Sequence, residues 1–141
     1  MPLYLLDTNI ISDLIRNREG ACRRRLEALD AEVDEVGTSI VVSAELKFGA
    51  LKQGAATLAK RIEAALASIP IHPLGDAVDS LYAEVRAGLE RMGQPIGANN
   101  MWIAAHALSL DAILVTDNTA EFSRVARLRL ENWINLPSAA A

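Results

Sequence analysis

Four polar positions spread along the chain could do chemistry together: Asp7, Glu45, Asn100 and the pair Asp117-Asn118. Asp7 ends the apolar run Leu3-Tyr4-Leu5-Leu6 and is followed by Thr8 and Asn9. Asp117 and Asn118 follow Ala112-Ile113-Leu114-Val115 and Thr116 in the same way. Glu45 differs, because it lies inside a helical stretch among apolar neighbours, where a carboxylate needs a reason. A divalent cation provides one. Magnesium takes hard oxygen ligands, keeps several waters, and uses one or two carboxylates beside a substrate phosphate. Such an ion stabilises carboxylates that otherwise repel, lowers the pKa of a bound water and neutralises charge developing on a phosphodiester. The residue types therefore point to metal-assisted phosphodiester hydrolysis. By spacing alone, each residue could equally be a helix cap or a solvated charge.

A strand followed by an aspartate also occurs in phosphotransferases and phosphatases that use the aspartate as nucleophile. Here Asn9 stands where their second aspartate acts as acid and base, and no suitably placed lysine follows the late strand. That chemistry is disfavoured.

The elements that must position these residues can be read from hydrophobic spacing. Leu3 to Leu6 reads as a buried strand and Ile10 to Arg16 as an amphipathic helix. Gly20 to Glu35, with Cys22, Leu26, Leu29 and Val33 at helical spacing, reads as a second helix. Gly37 to Val42 is a strand, or a strand that turns into a helix capped by Ser39 or Ser43. Helix follows from Ala44 to Leu51, with Gly54 as its stop, and again from Ala55 to Ala67. Ile69 to Leu74, flanked by prolines, reads as an edge strand or connector carrying a structural His72. Asp76 to Arg91 is a long helix. Gly93 to Gly97 breaks the chain, and Asn99 or Asn100 caps a nearly all-apolar central helix, Met101 to Leu110, in which His106 reads as a packed, hydrogen-bonded residue. Ala112 to Val115 is a strand, and Leu128 to Leu130 a final one covered by Trp133 and Leu136. Strands alternating with helices imply a parallel sheet with helices on both faces, whose carboxyl edge gathers the four polar positions.

At 141 residues the chain is one ordinary domain, burying roughly two thirds of its unfolded surface. One cysteine cannot make an intrachain disulfide, no apolar run approaches the roughly 18 residues of a membrane span, and no signal-peptide pattern opens the chain. These features predict a cytoplasmic protein without a membrane partner. The net charge of −4 argues against a general phosphate-binding surface, though not against an acidic, metal-dependent nuclease site. Few aromatics argue against a broad base-stacking platform. Arginines 16, 18, 23, 24 and 25 form a basic stretch that reads first as a solvated helix face and second as a phosphate contact.

Four segments in order carry a family resemblance: Leu5-Leu6-Asp7-Thr8-Asn9; Ser43-Ala44-Glu45-Leu46 with Gly49; Ile96-Gly97-Ala98-Asn99-Asn100 running into Ile103-Ala104-Ala105-His106-Ala107; and Leu114-Val115-Thr116-Asp117-Asn118-Thr119 with Phe122. Together they resemble the PIN domain, and within it the VapC toxins of bacterial type II toxin-antitoxin pairs. The resemblance implies a three-layer α/β/α fold with a small central parallel sheet over residues 1–136; the tail at 137–141 reads as flexible from its terminal position. It implies a Mg2+- or Mn2+-dependent endoribonuclease acting on a tRNA or rRNA loop, a cognate VapB-type antitoxin as inhibitor, and a homodimer. Carried over by position, Asp7 and Glu45 are catalytic metal ligands, Asp117 or Asn118 fills the fourth polar place, and Thr8, Asn9 and Thr116 support them. Asn100 stands where the family nearly always has aspartate. It keeps the shape and a carbonyl oxygen but removes one charge beside the dication, so the resemblance implies an attenuated enzyme. Asn100 is then either an inactivating change or a natural variant in which Asp117 supplies the missing charge. The alternative is a non-catalytic PIN-like module that binds a protein or RNA. Apolar residues of the early helices, Ile11, Leu14, Ile15, Leu46 and Leu51, are candidates for the antitoxin groove.

Overall fold

Leu3–Leu6 forms β1 with all four residues buried, because it is the middle strand of the sheet. It pairs in parallel with β2 (Glu35–Ser39) on one side and with β4 (Ile113–Val115) on the other. A strand covered on both faces reads as a continuous apolar run, not an alternating one. The short edge strands β3 (Ile71–His72) and β5 (Arg129–Glu131) complete a five-stranded, all-parallel sheet of order β3-β2-β1-β4-β5. The computed structural model describes residues 2–135; the expected cover by Leu136 and the tail at 137–141 lie outside the described residues.

Parallel neighbours require crossover connections, and helices supply them. Helices α1 (Thr8–Arg16) and α2 (Ala21–Glu27) join β1 to β2, and α3 (Ile40–Gln53) and α4 (Ala56–Ala67) join β2 to β3. Helices α5 (Val78–Arg91) and α6 (Ala98–Ser109) lead to β4, and the one-turn α7 (Thr119–Phe122) to β5. The result is the expected α/β/α arrangement. From β1 the chain builds outward through β2 and β3, then returns to build β4 and β5 on the other side. The strand order therefore reverses beside β1, and the crevice at the carboxyl ends of β1 and β4 is the natural ligand position. Asp7 and Thr116 are the residues that leave those two strands.

The core runs through both faces of the sheet. Leu5, Leu6, Ile10, Ile11, Ile103, Leu114, Phe122 and Trp133 have no exposed surface, and each such side chain contributes about 1.5–3 kcal/mol by burial. Trp133 covers the β5 side as expected. Its ring lies 5.7 Å from that of Tyr4, the Arg25 guanidinium sits 5.6 and 5.5 Å from the two ring centres, and its Nε1–H donates to Glu131 Oε1 at 2.9 Å. Cys22 is buried and its thiol is pushed up to about 12, first by burial and then by Asp13, which makes it unreactive. Among the described residues no helix is long and apolar enough to cross a membrane.

Three expectations change. The helix expected over Gly20 to Glu35 stops at Glu27, because Asp30 and Asp34 close a turn: Asp30 N–H donates to Asp34 Oδ2 at 3.0 Å, Glu32 N–H to Asp30 Oδ1 at 3.0 Å, and Val33 N–H to Asp30 O at 2.9 Å. Short acidic side chains bonding local backbone compete with helix, so Glu35 is released to pair with Leu3 and Val33 is left exposed. Helix α6 starts at Ala98 with Gly97 as its cap and no side-chain capping bond. Asn99 and Asn100 thus fall in its first turn, with their amides free for other partners. Of the residues offered for a partner groove, Ile11, Leu14 and Leu46 are core; Ile15 is partly buried and Leu51 is exposed.

The ambiguous segment 37–42 resolves into a strand that becomes a helix at Ser39. Ser39 Oγ accepts Val41 N–H at 3.1 Å and shares a second hydrogen bond with His106 Nδ1, 2.7 Å away. Burial holds the His106 pKa below its ordinary value, which favours the neutral ring. Gly37 makes room for the other histidine, since a Cβ there would lie 2.7 Å from His72 Nε2 and 3.1 Å from Pro70 O. Ser39→Ala removes a cap and leaves the buried His106 Nδ1 without its partner, so it is expected to cost about 2 kcal/mol and to lower the melting temperature by about 5–10 °C. An unchanged thermal melt would show that the Ser39–His106 link carries no stability.

Candidate metal centre

The crevice beside β1 is built from the ends of several elements. Asp7, the N-cap of α1, is only 4% exposed. Its Oδ2 accepts the Thr116 hydroxyl at 2.7 Å and the Asn9 amide at 3.4 Å. Glu45, one turn and a half into α3, is held by two other segments: Oε1 accepts the Thr8 hydroxyl at 2.8 Å, and Oε2 the Asn99 amide at 3.5 Å. The two carboxylates sense each other. Burial raises the Asp7 pKa, and the Glu45 charge raises it further against the lowering effect of Thr116, the Thr8 backbone and Asn9.

Asn100 is linked to this group through Glu121, to whose Oε2 its Nδ2 donates at 3.4 Å. Glu121 was not singled out from the sequence. It accepts Gly97 N–H at 2.9 Å and the Asn118 amide at 2.7 Å as well, and these donors, Asn118 foremost, hold its carboxyl below the usual range. A signal existed: Asn118-Thr119-Ala120-Glu121 has the spacing of a capping box, which brings the first and fourth side chains of a helical turn together. Asn118 N–H donates to Thr116 Oγ1 at 3.0 Å, so the chain leaving β4 is bonded back to the hydroxyl that holds Asp7.

Asp117 is the site candidate that does not join this group. Its Oδ1 accepts amides from Asn132 at 3.0 Å and Asn135 at 2.7 Å, and its N–H donates to Asn9 Oδ1 at 3.0 Å. The carboxylate is exposed and tied to the segment after β5. The physical reason is alternation: successive side chains leaving a strand point to opposite sides, so when Thr116 and Asn118 turn inward, Asp117 turns out. The idea that Asp117 replaces the charge absent at Asn100 is not borne out by this placement.

The donor set suits a hard divalent cation. Asp7 and Glu45 offer carboxylate oxygens whose mutual repulsion a cation relieves, and Asn100 has its amide nitrogen on Glu121 and its carbonyl oxygen left for another partner. Among the described residues no three Asp, Glu, His or Cys side chains come close enough together to hold an ion.

Comparison with known proteins gives a consistent answer. A family model described as PIN domain matches residues 4–128. The chain is 35% identical to Ribonuclease VapC1 of Haemophilus influenzae (strain R2866), over 93% of this chain and 98% of that one. It is also 35% identical to the tRNA(fMet)-specific endonuclease VapC of Shigella flexneri, over 94% and 99%. The crystal structure of VapBC2 from Rickettsia felis bound to a DNA fragment from their promoter superposes with a TM-score of 0.86 at 34% identity, covering 93% of this chain and 98% of that one.

Proposed function

The chain belongs to the PIN-domain family, within it to the VapC ribonucleases, and on that premise we propose that it is a toxin that cuts RNA phosphodiester bonds endonucleolytically with Mg2+ or Mn2+, at a rate held down by Asn100. The observation that carries this reading is the meeting of Asp7 and Glu45, 38 positions apart in sequence, through the Thr8 hydroxyl and their mutual charge. A tRNA or rRNA loop in the cytoplasm is the substrate this kinship suggests.

Asp7, Glu45 and the Asn100 amide oxygen would hold the cation. When bound, it supplies positive charge against the negative charge that develops on the phosphate, and it acidifies water in the site. The chain's own residues set the stage for this. Thr116 and Asn9 fix the Asp7 carboxylate by hydrogen bonds at 2.7 and 3.4 Å. Thr8 and Asn99 fix Glu45 from two helices, so neither carboxylate has to reorganise as charge builds up. Glu121 holds the Gly97 backbone and the Asn100 and Asn118 amides together, which sets the Asn100 rotamer.

A VapB-type antitoxin is the partner that the VapBC likeness supports. A groove of about 560 Å³ between α1, α2 and α4 is the candidate surface for it, with Ile15 and Leu26 among its apolar lining and Arg18, Arg23 and Arg61, beside Glu27, among its charged one. An acidic amphipathic segment matches that pattern. The second reading, a PIN-like module without turnover, is favoured by Asn100 alone.

The test is RNA cleavage by the purified chain in Mg2+. Slow cutting that disappears in EDTA and in Glu45→Gln, and that the antitoxin suppresses in the unmodified chain but not in Arg18→Glu/Arg23→Glu, is expected. No cutting by this chain or by Asn100→Asp, at any Mg2+ or Mn2+ concentration, would leave the binding module as the correct reading.

A further inference from the structure

Asp117 stands apart from the carboxylates of the crevice, yet one of its oxygens is gripped twice. Oδ1 accepts the Asn132 amide at 3.0 Å and the Asn135 amide at 2.7 Å. Those donors are themselves ordered by a turn, in which Asn132 Oδ1 accepts the backbone N–H groups of Ile134 and Asn135, both at 2.9 Å. Asp117 and Asn135 are exposed and Asn132 is half-buried, so ordering them costs rotamer entropy. The backbone of Asp117 shows what that ordering secures. Its N–H donates to Asn9 Oδ1 at 3.0 Å, and Asn9 Nδ2 donates to Asp7 Oδ2 and Thr116 Oγ1, both at 3.4 Å. Hydrogen bonds passing through residue 117 thus join the segment after β5 to the buried carboxylate at the end of β1.

We propose that Asp117 is a positioning residue for the Asp7 carboxylate: clamped by Asn132 and Asn135, it holds the turn after β4 so that its N–H fixes Asn9, and Asn9 fixes Asp7. The inference rests on the metal-dependent reading above and gives Asp117 no place among the ligands. Its warrant is the polarity of the Asn9 amide. The two bonds from its nitrogen are long, so the shorter bond to its oxygen decides which way the amide faces. Turned over, the amide would set its oxygen against two acceptors, because Thr116 has already given its hydroxyl proton to Asp7. The place of the Asp117 N–H depends in turn on where the chain leaving β4 runs. Parallel pairing of Val115 with Glu131 brings Asn132 beside that turn, and the alternation that points Asp117 out of the crevice points it at the clamp. What the clamp needs from residue 117 is an oxygen acceptor, not a charge.

Mn2+ calorimetry separates this role from ligation. Partners outside the ligand shell of a metal are worth roughly 10–100-fold in affinity, and Asp117→Ala is expected to weaken Mn2+ binding about tenfold. Asp117→Asn keeps an oxygen for both amides and is expected to bind Mn2+ like the unmodified chain, which a lost ligand would not allow. In an Asn9→Ala background, Asp117→Ala should cost nothing further, because the two act on Asp7 in series. The metal-free readout is the Asn9 side-chain amide in heteronuclear NMR, whose protons should exchange faster with water in Asp117→Ala and at the unmodified rate in Asp117→Asn. Should Asp117→Ala fold poorly, Asn135→Ala removes an exposed amide and the shorter clamp bond, and is expected to move both readouts the same way. Asp117→Asn weakening Mn2+ binding as much as Asp117→Ala would overturn the proposal, as would an Asn9 amide indifferent to Asp117→Ala. Mn2+ binding lost in Glu45→Gln but untouched in Asp117→Ala also overturns it, and leaves the metal reading standing. A chain that binds no Mn2+, yet whose Asn9 amide responds as expected, loses the metal reading and keeps the clamp.

Discussion

Asn100→Asp is expected to raise Mg2+-dependent RNA cleavage by roughly tenfold to a thousandfold, at about 1.4 kcal/mol per decade. A unit charge at contact distance from another is worth about 4 kcal/mol at an effective dielectric of about 20, and partial exposure reduces this substantially. The same substitution has a cost without metal. The Asn100 amide donates to Glu121 Oε2 at 3.4 Å, and a carboxylate in its place cannot donate and brings a like charge toward Glu121 and the Asp7–Glu45 pair. The variant should therefore melt below the unmodified chain in EDTA and respond to Mg2+ with the larger upward shift. Thermal melts with and without Mg2+, beside a cleavage assay, read both effects. Equal cleavage and an equal Mg2+ response in the two proteins would mean that position 100 does not face the cation.

Asp7→Asn should have the opposite signature. Cleavage falls by at least about a hundredfold, because one of two carboxylates is gone from the site, while the metal-free fold becomes more stable. The stability argument follows from linkage. The Asp7 carboxyl in the folded chain is raised above its ordinary value of 3.8, first by burial and further by Glu45. The folded state therefore binds this proton more tightly than the unfolded state, and stability falls as pH rises from 3.8 through the raised folded value. Asparagine carries no such charge, keeps an oxygen for the Thr116 hydroxyl, and flattens the pH profile across that window. A metal-free Asp7→Asn protein that melts lower than the parent at neutral pH would contradict the idea that Asp7 is strained without a cation.

Most of the architecture was legible because it depends on patterns that survive in one sequence. Four apolar residues before Asp7 specify a doubly covered strand, and the repeat of that pattern before Thr116 specifies its neighbour. Convergence of Asp7 and Thr116 then follows from parallel pairing and the reversal of strand order beside β1. Glu45 stood out as a carboxylate on an apolar helix, and its bond to Thr8 supplies the reason. The misses have a common cause. Hydrophobic spacing continued from Leu26 through Val33, but the Asp30–Asp34 turn bonds decided the end of α2. Asp117 carries the charge that chemistry would favour, yet which of two adjacent side chains faces inward is set by the rotation of the backbone leaving β4. Glu121 lay in a turn too short to register as a helix, although its spacing from Asn118 pointed to it.

The central claim is that Asp7 and Glu45 share one divalent cation, and calorimetric Mn2+ titration of the unmodified chain, Asp7→Asn, Glu45→Gln and the double variant tests it without recourse to activity. Shared ligation predicts that each single substitution removes most of the binding and that the double removes little more, a non-additivity characteristic of groups acting on one partner. Mn2+ affinity that survives both single substitutions unchanged, or losses that add in full, would contradict it.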